Sequence, residues 1–198
     1  HSWLPRFFRE LHETAPSLDV EITVDVTGNL RTGLLDRSLD LAFLLGPVSE
    51  PKIENRELCS FPLVWVASPE LNLPDSLLDL RELVEWPIIT YARNTRPFAE
   101  ISQKFSELDE LPARFYSSSS LAACRQLTLD GIGISTLPLS VIEHELDNGR
   151  LVQLQTSWTP SELAFTASYP GAPFNPITEL AVNLAVRVSS EYTCATHH

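Results

Sequence analysis

Glu143, His144 and Glu145 are the densest run of potential metal ligands in the chain, and Cys59, Cys124 and Cys194 are its three thiols. Neither set has the spacing that metal chemistry needs. Consecutive residues on a helix point in different directions, so the triplet reads as a solvated helix face, and His12 reads the same way. The cysteines are odd in number and lack a Cys-x-x-Cys pair, so neither a disulfide framework nor a zinc site is indicated. They read as buried packing thiols, with a peroxide-sensing pair as the alternative. Covalent catalysis would require a nucleophile beside an oriented base. No Gly-x-Ser-x-Gly elbow, His-Glu-x-x-His helix or phosphate loop occurs, and Gly131-Ile132-Gly133 lacks the third glycine of a dinucleotide fingerprint. These residues point to a protein that is not an enzyme and uses no cofactor or metal.

The composition narrows the partners. With 198 residues, 43% of them apolar, the chain can bury one core or two small ones. Its 26 acidic and 14 basic side chains give a net charge of −12, which opposes direct contact with a phosphate backbone. No apolar stretch approaches the roughly 20 residues that span a bilayer. The start, from His1 to Arg6, lacks the basic and apolar regions of a signal peptide. The expectation is a cytoplasmic protein with no membrane contact. His197-His198 read as a tag remnant and are left out of the site.

The elements that must position any site follow from periodicity. Leu4, Phe7, Phe8 and Leu11 predict an opening helix closed by Pro16. Val20, Ile22, Val24 and Val26 alternate with polar residues and predict a strand ending at Thr27-Gly28-Asn29. A helix with Leu30, Leu34 and Leu35 follows, then a buried strand, Leu41 to Leu45. Strands are expected near 53–58 and 61–67, and Pro69 and Pro74 mark a boundary. Beyond it come a helix over 77–85, a strand over 87–91, a helix with Phe98, Ile101, Phe105 and Leu108, and a strand over 113–116. The serines at 117–120 offer a cap to a helix carrying Leu121, Cys124 and Leu127, with Gly131 at its end. A strand at 132–135 and a helix with Pro138 in its first turn follow, stopped by Gly149. Leu163, Phe165, Ala167 and Tyr169 alternate as a strand, and Pro176 opens a last helix through Val188. Alternating strands and helices imply open parallel sheets, whose ligands bind beyond the carboxyl ends of the strands.

Several segments, in order, carry a resemblance across residues 3–188. They are Leu4-Pro5-Arg6-Phe7-Phe8, Leu39-Asp40-Leu41-Ala42-Phe43, and Val64-Trp65-Val66-Ala67-Ser68-Pro69, followed by Asp130 through Pro138 and Asn148-Gly149-Arg150-Leu151. With these the chain resembles the effector-binding domain of LysR-type transcriptional regulators. The resemblance implies an α/β fold of two Rossmann-like lobes with a central cleft, like the type 2 periplasmic binding proteins. It assigns 1–67 with 166–198 to lobe I and 68–165 to lobe II. It also implies that the first strand of lobe I and an N-terminal winged helix-turn-helix domain lie outside this chain. Function follows: sensing of a small molecule and oligomerisation within a bacterial transcription regulator. A transport solute-binding protein and, further off, a small α/β enzyme remain as alternatives.

The same resemblance points to site residues. The loop after the second strand matches Thr27, Gly28 and Asn29, where a hydroxyl and helix-start amides suit a carboxylate; alternatively, Thr27 or Asn29 only caps its helix. The loop opening lobe II's first long helix matches Asn94, Thr95, Arg96, Pro97 and Phe98. Arg96 there could pair with an anion or stay solvated, and Phe98 could meet the effector or the core. Ser118 and Ser119 stand at a third helix start, with capping as the simpler role. Leu45, before Gly46-Pro47, suggests an apolar wall, and Tyr91 and Arg93 are weaker candidates. The implied partners are a small organic acid, further copies of the chain in a dimer or tetramer, and DNA only through the N-terminal domain. Trp3 to His12 and the helix from Leu121 are the interface candidates.

Overall fold

Apolar residues at helical spacing form a helix only where a second surface receives them. The first helix, α1 (Leu4–Thr14), buries Phe7 and Leu11. Trp3, Phe7 and Phe43 meet edge to face, with ring centroids 5.0 to 5.9 Å apart, and this seats the helix on strand β1 (Ala42–Leu45). The computed structural model describes residues 3–108 and 112–196, without the side chains of 193–196. Cys194's side chain and His197-His198 therefore lie outside the described residues.

The chain forms two compact units, residues 1–60 with 164–198, and residues 61–163. In the first, helix α2 (Thr27–Asp36) precedes β1, and strand β2 (Ile53–Phe61) follows. Strand β8 (Leu163–Pro170) lies between β1 and β2, antiparallel to β1 with Ala42 opposite Ser168 and Leu45 opposite Phe165. Helix α7 (Pro176–Thr196) completes the unit and packs Val182 with Ala167 and Tyr169. A polar tie fixes the chain after β1. Asn55 accepts from the Val48 amide at 2.9 Å and donates to its carbonyl at 3.0 Å, while Ser168 donates to Asn55 at 2.7 Å.

The second unit holds β3 (Leu63–Ala67), the short helix α3 (Leu80–Leu83), β4 (Ile88–Tyr91), α4 (Arg96–Ser106), β5 (Phe115–Ser118) and α5 (Leu121–Leu129). It continues with β6 (Ile134–Pro138), α6 (Leu139–Asp147) and β7 (Val152–Gln153). The sheet order is β5-β4-β6-β3-β7, with β4 parallel to β5 and β6, and β3 antiparallel to β6 and β7. Alternation along the strands builds two cores. Trp65, Ile88 and Ile134 meet Ile101 and Phe105 of α4 on one face; Val66, Ile89 and Leu137 meet Cys124 of α5 and Ile142 of α6 on the other. Burying each such side chain contributes roughly 1.5–3 kcal/mol.

Two glycines are needed where they stand, Gly131 as its place after the α5 residues predicts. Gly131 ends α5 at φ +67, and a Cβ on Gly133 would collide with the Pro87 carbonyl oxygen. Other expectations change. Residues 18–26 form no strand: Val20, Ile22 and Val24 are 49%, 62% and 92% exposed. Alternation supplies the side-chain pattern of a strand, but a strand also needs a hydrogen-bonding neighbour, and this segment has none among the described residues. The expected parallel sheets are mixed in the second unit, and the β1–β8 pair in the first is antiparallel. Helix 77–85 shrinks to α3, capped by a reciprocal Asp79–Glu82 box. Pro138 ends β6 and stands as the N-cap of α6, not in its first turn. The chain leaves the first unit at 60/61 and returns at 163/164, against 67/68 and 165/166 in the sequence reading, because β3 pairs with β6 and β7.

Candidate functional site

Parallel pairing brings the second unit's candidates to one edge of its sheet. Tyr91 at the end of β4 lies beside Ser118 at the end of β5, and each strand runs on into a helix. The start of α4, with Asn94 to Phe98, and the start of α5, after Ser118 and Ser119, therefore flank the same carboxyl edge.

Each side chain has its own local role there. The Thr95 hydroxyl donates to the Ala92 carbonyl at 2.7 Å and accepts from the Phe98 amide at 3.4 Å, which makes Thr95 the N-cap of α4. Pro97 is buried in the first turn. Phe98 packs edge to face on Phe115 at 5.6 Å, and the Arg93 guanidinium lies 5.6 Å from its ring centroid. Phe98 thus does core work and also holds a cation at this edge. Arg96 is exposed, and one of its nitrogens donates to the Glu162 carbonyl at 3.0 Å. Because a guanidinium has five N–H donors, that bond orients the group and leaves donors for an anion. Asn94 is exposed beside it.

The serines divide their tasks. Ser120 caps α5, accepting from the Ala123 amide at 3.2 Å; Ser118 accepts from the Ser120 amide at 3.1 Å; Ser119 is exposed. Capping therefore falls to Ser120, one residue beyond the two candidates. Behind this edge the Tyr91 hydroxyl donates to the Thr136 carbonyl at 3.0 Å, and burial pushes its phenol above the ordinary range.

In the first unit, Thr27 is the first residue of α2 and Val26 occupies the cap position. Neither Thr27 nor Asn29 caps the helix through its side chain. Asp25 instead accepts from the Val26 amide at 2.7 Å and from the Asn29 side chain at 2.9 Å. The Thr27 hydroxyl and the Thr27 and Gly28 amides take no hydrogen bond among the described residues, so this helix start keeps donors for an anion. Leu45 is half-buried at the end of β1, ahead of the loop that Asn55 holds.

Three features went unread in the sequence. Glu145 is not on a solvated face: it is 2% exposed and ion-paired with Arg125, while Glu143 and His144 face solvent. Its spacing from Ile142 places it on the buried side of α6, and the nearby arginine of α5 is the signal that could have found the pair. Thr90 and Thr136 are buried with hydroxyls that lack a partner; nothing local in the sequence marks them. A recess of about 400 Å³ bordered by Leu80, Arg81, Lys104 and Trp158 includes none of the candidates. Cys59 and Cys124 are buried free thiols; burial pushes the former up to about 11 and raises the latter, which keeps both protonated and supports the packing role.

Against known proteins, the family described as the LysR substrate binding domain matches residues 1–184. The transcriptional regulator PtxR of Pseudomonas aeruginosa is 29% identical over 166 residues, covering 82% of this chain and 52% of PtxR. The chain thus spans about half the length of the curated relatives it matches. Among solved structures, the regulatory domain of Synechocystis CcmR in complex with 2-PG aligns with a TM-score of 0.78 at 19% identity, over 94% of this chain and 91% of that one. The effector-binding domain of QuiR in complex with shikimate aligns with a TM-score of 0.75 at 18% identity, over 96% and 91%. The two-unit α/β architecture is that of these regulatory domains, the fold of type 2 periplasmic binding proteins. Family match and fold agree, and the chain belongs to the LysR substrate-binding domain family, as the effector-binding domain of a LysR-type regulator.

Proposed function

We propose that this chain senses a small organic acid inside a bacterial cytoplasm and passes that signal to a DNA-binding domain elsewhere in the same protein. The observation that carries this reading is Arg96: an exposed guanidinium at the start of α4, oriented by the Glu162 carbonyl and set at the carboxyl edge of a sheet. Around it, Asn94, Thr95, Pro97, Phe98, Ser118 and Ser119 would contribute shape and further donors. In the first unit, the unengaged donors of Thr27 and Gly28, with Asn29 and the apolar Leu45, are candidate effector contacts in their own right. Shikimate and 2-PG in the QuiR and CcmR domains are acids of the size such donors suit.

The mechanism follows from linkage. An acid that binds one conformation of the protein better than others shifts the population toward it, and DNA affinity changes only through that differential binding. Homo-oligomerisation, through α1 and α5, would convert the change into altered contact with an operator. The chain's net charge of −12 fits a role in which another domain touches the DNA.

A thermal-shift screen of small aromatic, alicyclic and aliphatic carboxylates tests the proposal. At least one acid should raise Tm in a concentration-dependent way, because binding to the folded state alone stabilises it. A full panel without a shift would overturn the sensor reading. Sedimentation of the chain with and without that acid tests the assembly.

A further inference from the structure

Thr90 and Thr136 are each 1% exposed, and neither hydroxyl meets a donor or acceptor among the described residues. The two positions are related by the sheet. Ile88 of β4 packs with Ile101 and Phe105 of α4, whereas Ile89 packs with Cys124 and Leu137 on the other face. Side chains alternate along a strand, so Thr90 shares the α4 face with Ile88. On β6, Ile134 lies on that face, and Ser135 turns to α5, where it accepts from Thr128 at 2.8 Å. Thr136 returns to the α4 face. Since Ile88 pairs with Ile134 and Ile89 with Ser135, one further step sets Thr90 beside Thr136, about 5 Å away on the neighbouring strand.

Two other pairs of buried hydroxyls do not behave this way. Thr128 and Ser135 satisfy each other, and so do Thr166 and Ser168 at 2.9 Å. A hydroxyl buried without a partner is disfavoured relative to a valine of the same shape. Two such groups side by side, near the carboxyl ends of parallel strands and behind the start of α4, mark the place where open α/β sheets take their ligands.

We propose that Thr90 and Thr136 form the polar floor of the effector site and select an acid that also carries a hydroxyl group. This rests on the sensor reading and adds the substrate class. The effector hydroxyl accepts from one threonine and donates to the other, as each can do either. A neutral group suits so dry a position, because a carboxylate there would lose its hydration without a compensating charge. The acidic end belongs with Arg96. A site built to bond a hydroxyl discriminates strongly against the analogue that lacks it.

The test is titration calorimetry on the whole chain with matched acids: shikimate against cyclohex-1-ene-1-carboxylate, and 3-hydroxybenzoate against benzoate. Wild type should bind at least one hydroxy acid ten-fold or more tightly than its partner. Thr90→Val with Thr136→Val should abolish that preference by weakening the hydroxy acid, and should leave the ligand-free Tm equal or higher. A preference that survives the double substitution, or a wild type that shows none, overturns this inference while the sensor reading stands. A clear fall in the ligand-free Tm also overturns it, since the hydroxyls would then be bonded within the fold. If no acid of either class binds wild type, the sensor reading fails and takes this inference with it.

Discussion

The Arg125 guanidinium on α5 reaches the carboxylate of Glu145 on α6, a side chain only 2% exposed. This pair joins the two helices that cover one face of the second unit's sheet. The hydrogen bond from Arg125 is the largest influence holding the Glu145 carboxyl below its ordinary range, against desolvation, which acts the other way.

Replacing Glu145 with Gln should therefore destabilise the chain. The expected loss is about 1–3 kcal/mol, less than the roughly 3–5 kcal/mol of a fully buried pair, because Arg125 is 34% exposed and can be rehydrated. The pH dependence has a defined sign. A carboxyl whose pKa is lowered on folding contributes stability that is complete above its unfolded value, near 4.5, and is lost as pH falls through the lower folded value. Urea titrations of wild type and Glu145→Gln should differ at pH 7 and converge in acid; a gap constant from pH 7 to pH 3 would refute the assignment.

Arg96→Ala should weaken binding of the acid found by thermal shift by about 1.5–3 kcal/mol, the worth of a charge-assisted hydrogen bond. The lost Arg96–Glu162 contact is on the surface, so the ligand-free Tm should scarcely move. Calorimetry reads both, and an unchanged Kd removes Arg96 from the site.

Neighbouring serines should separate stability from binding. Ser120→Ala removes the α5 cap and should cost about 1 kcal/mol. Ser119→Ala should stay within about 0.5 kcal/mol of wild type, because Ser119 is exposed and caps nothing. Equal losses in a chemical denaturation series would contradict this division.

Gly133→Ala should be among the costlier small substitutions. The added methyl meets a backbone oxygen of Pro87, which cannot rotate away, and relief requires β6 or the chain before β4 to shift. A loss of about 1–3 kcal/mol is expected from unfolding curves. Gly28→Ala, where a Cβ meets nothing within 4 Å, serves as the control.

Exposed charges joining α1 to α7 should contribute only at low salt. Glu10 bonds Arg6 at 2.7 Å and Arg187 at 2.6 Å, and Arg6 also reaches Glu191 at 2.5 Å. Arg187→Ala should lower Tm in dilute buffer and have little effect in about 1 M salt, where screening acts within roughly 3 Å. A salt-independent drop would mean that the arginine stem is packing against α1.

Local sequence determined most of the elements, since periodicity and punctuation act over a few residues. Phe7 and Leu11, one turn apart, define α1, and Gly131 stops α5 where a positive φ is needed. Family membership was also legible, from the order of motifs between Trp3 and Val188. What a stretch of sequence cannot hold is the neighbour it will meet. The alternation of Val20, Ile22 and Val24 promises a strand, but among the described residues no pairing edge meets it. Glu145 reads as solvated until α5 brings Arg125 to it, and Thr90 and Thr136 become a pair only through the β4–β6 register. Hydrogen bonds and charges are settled by distances between segments far apart in the chain, and those distances exist only once the sheet has formed.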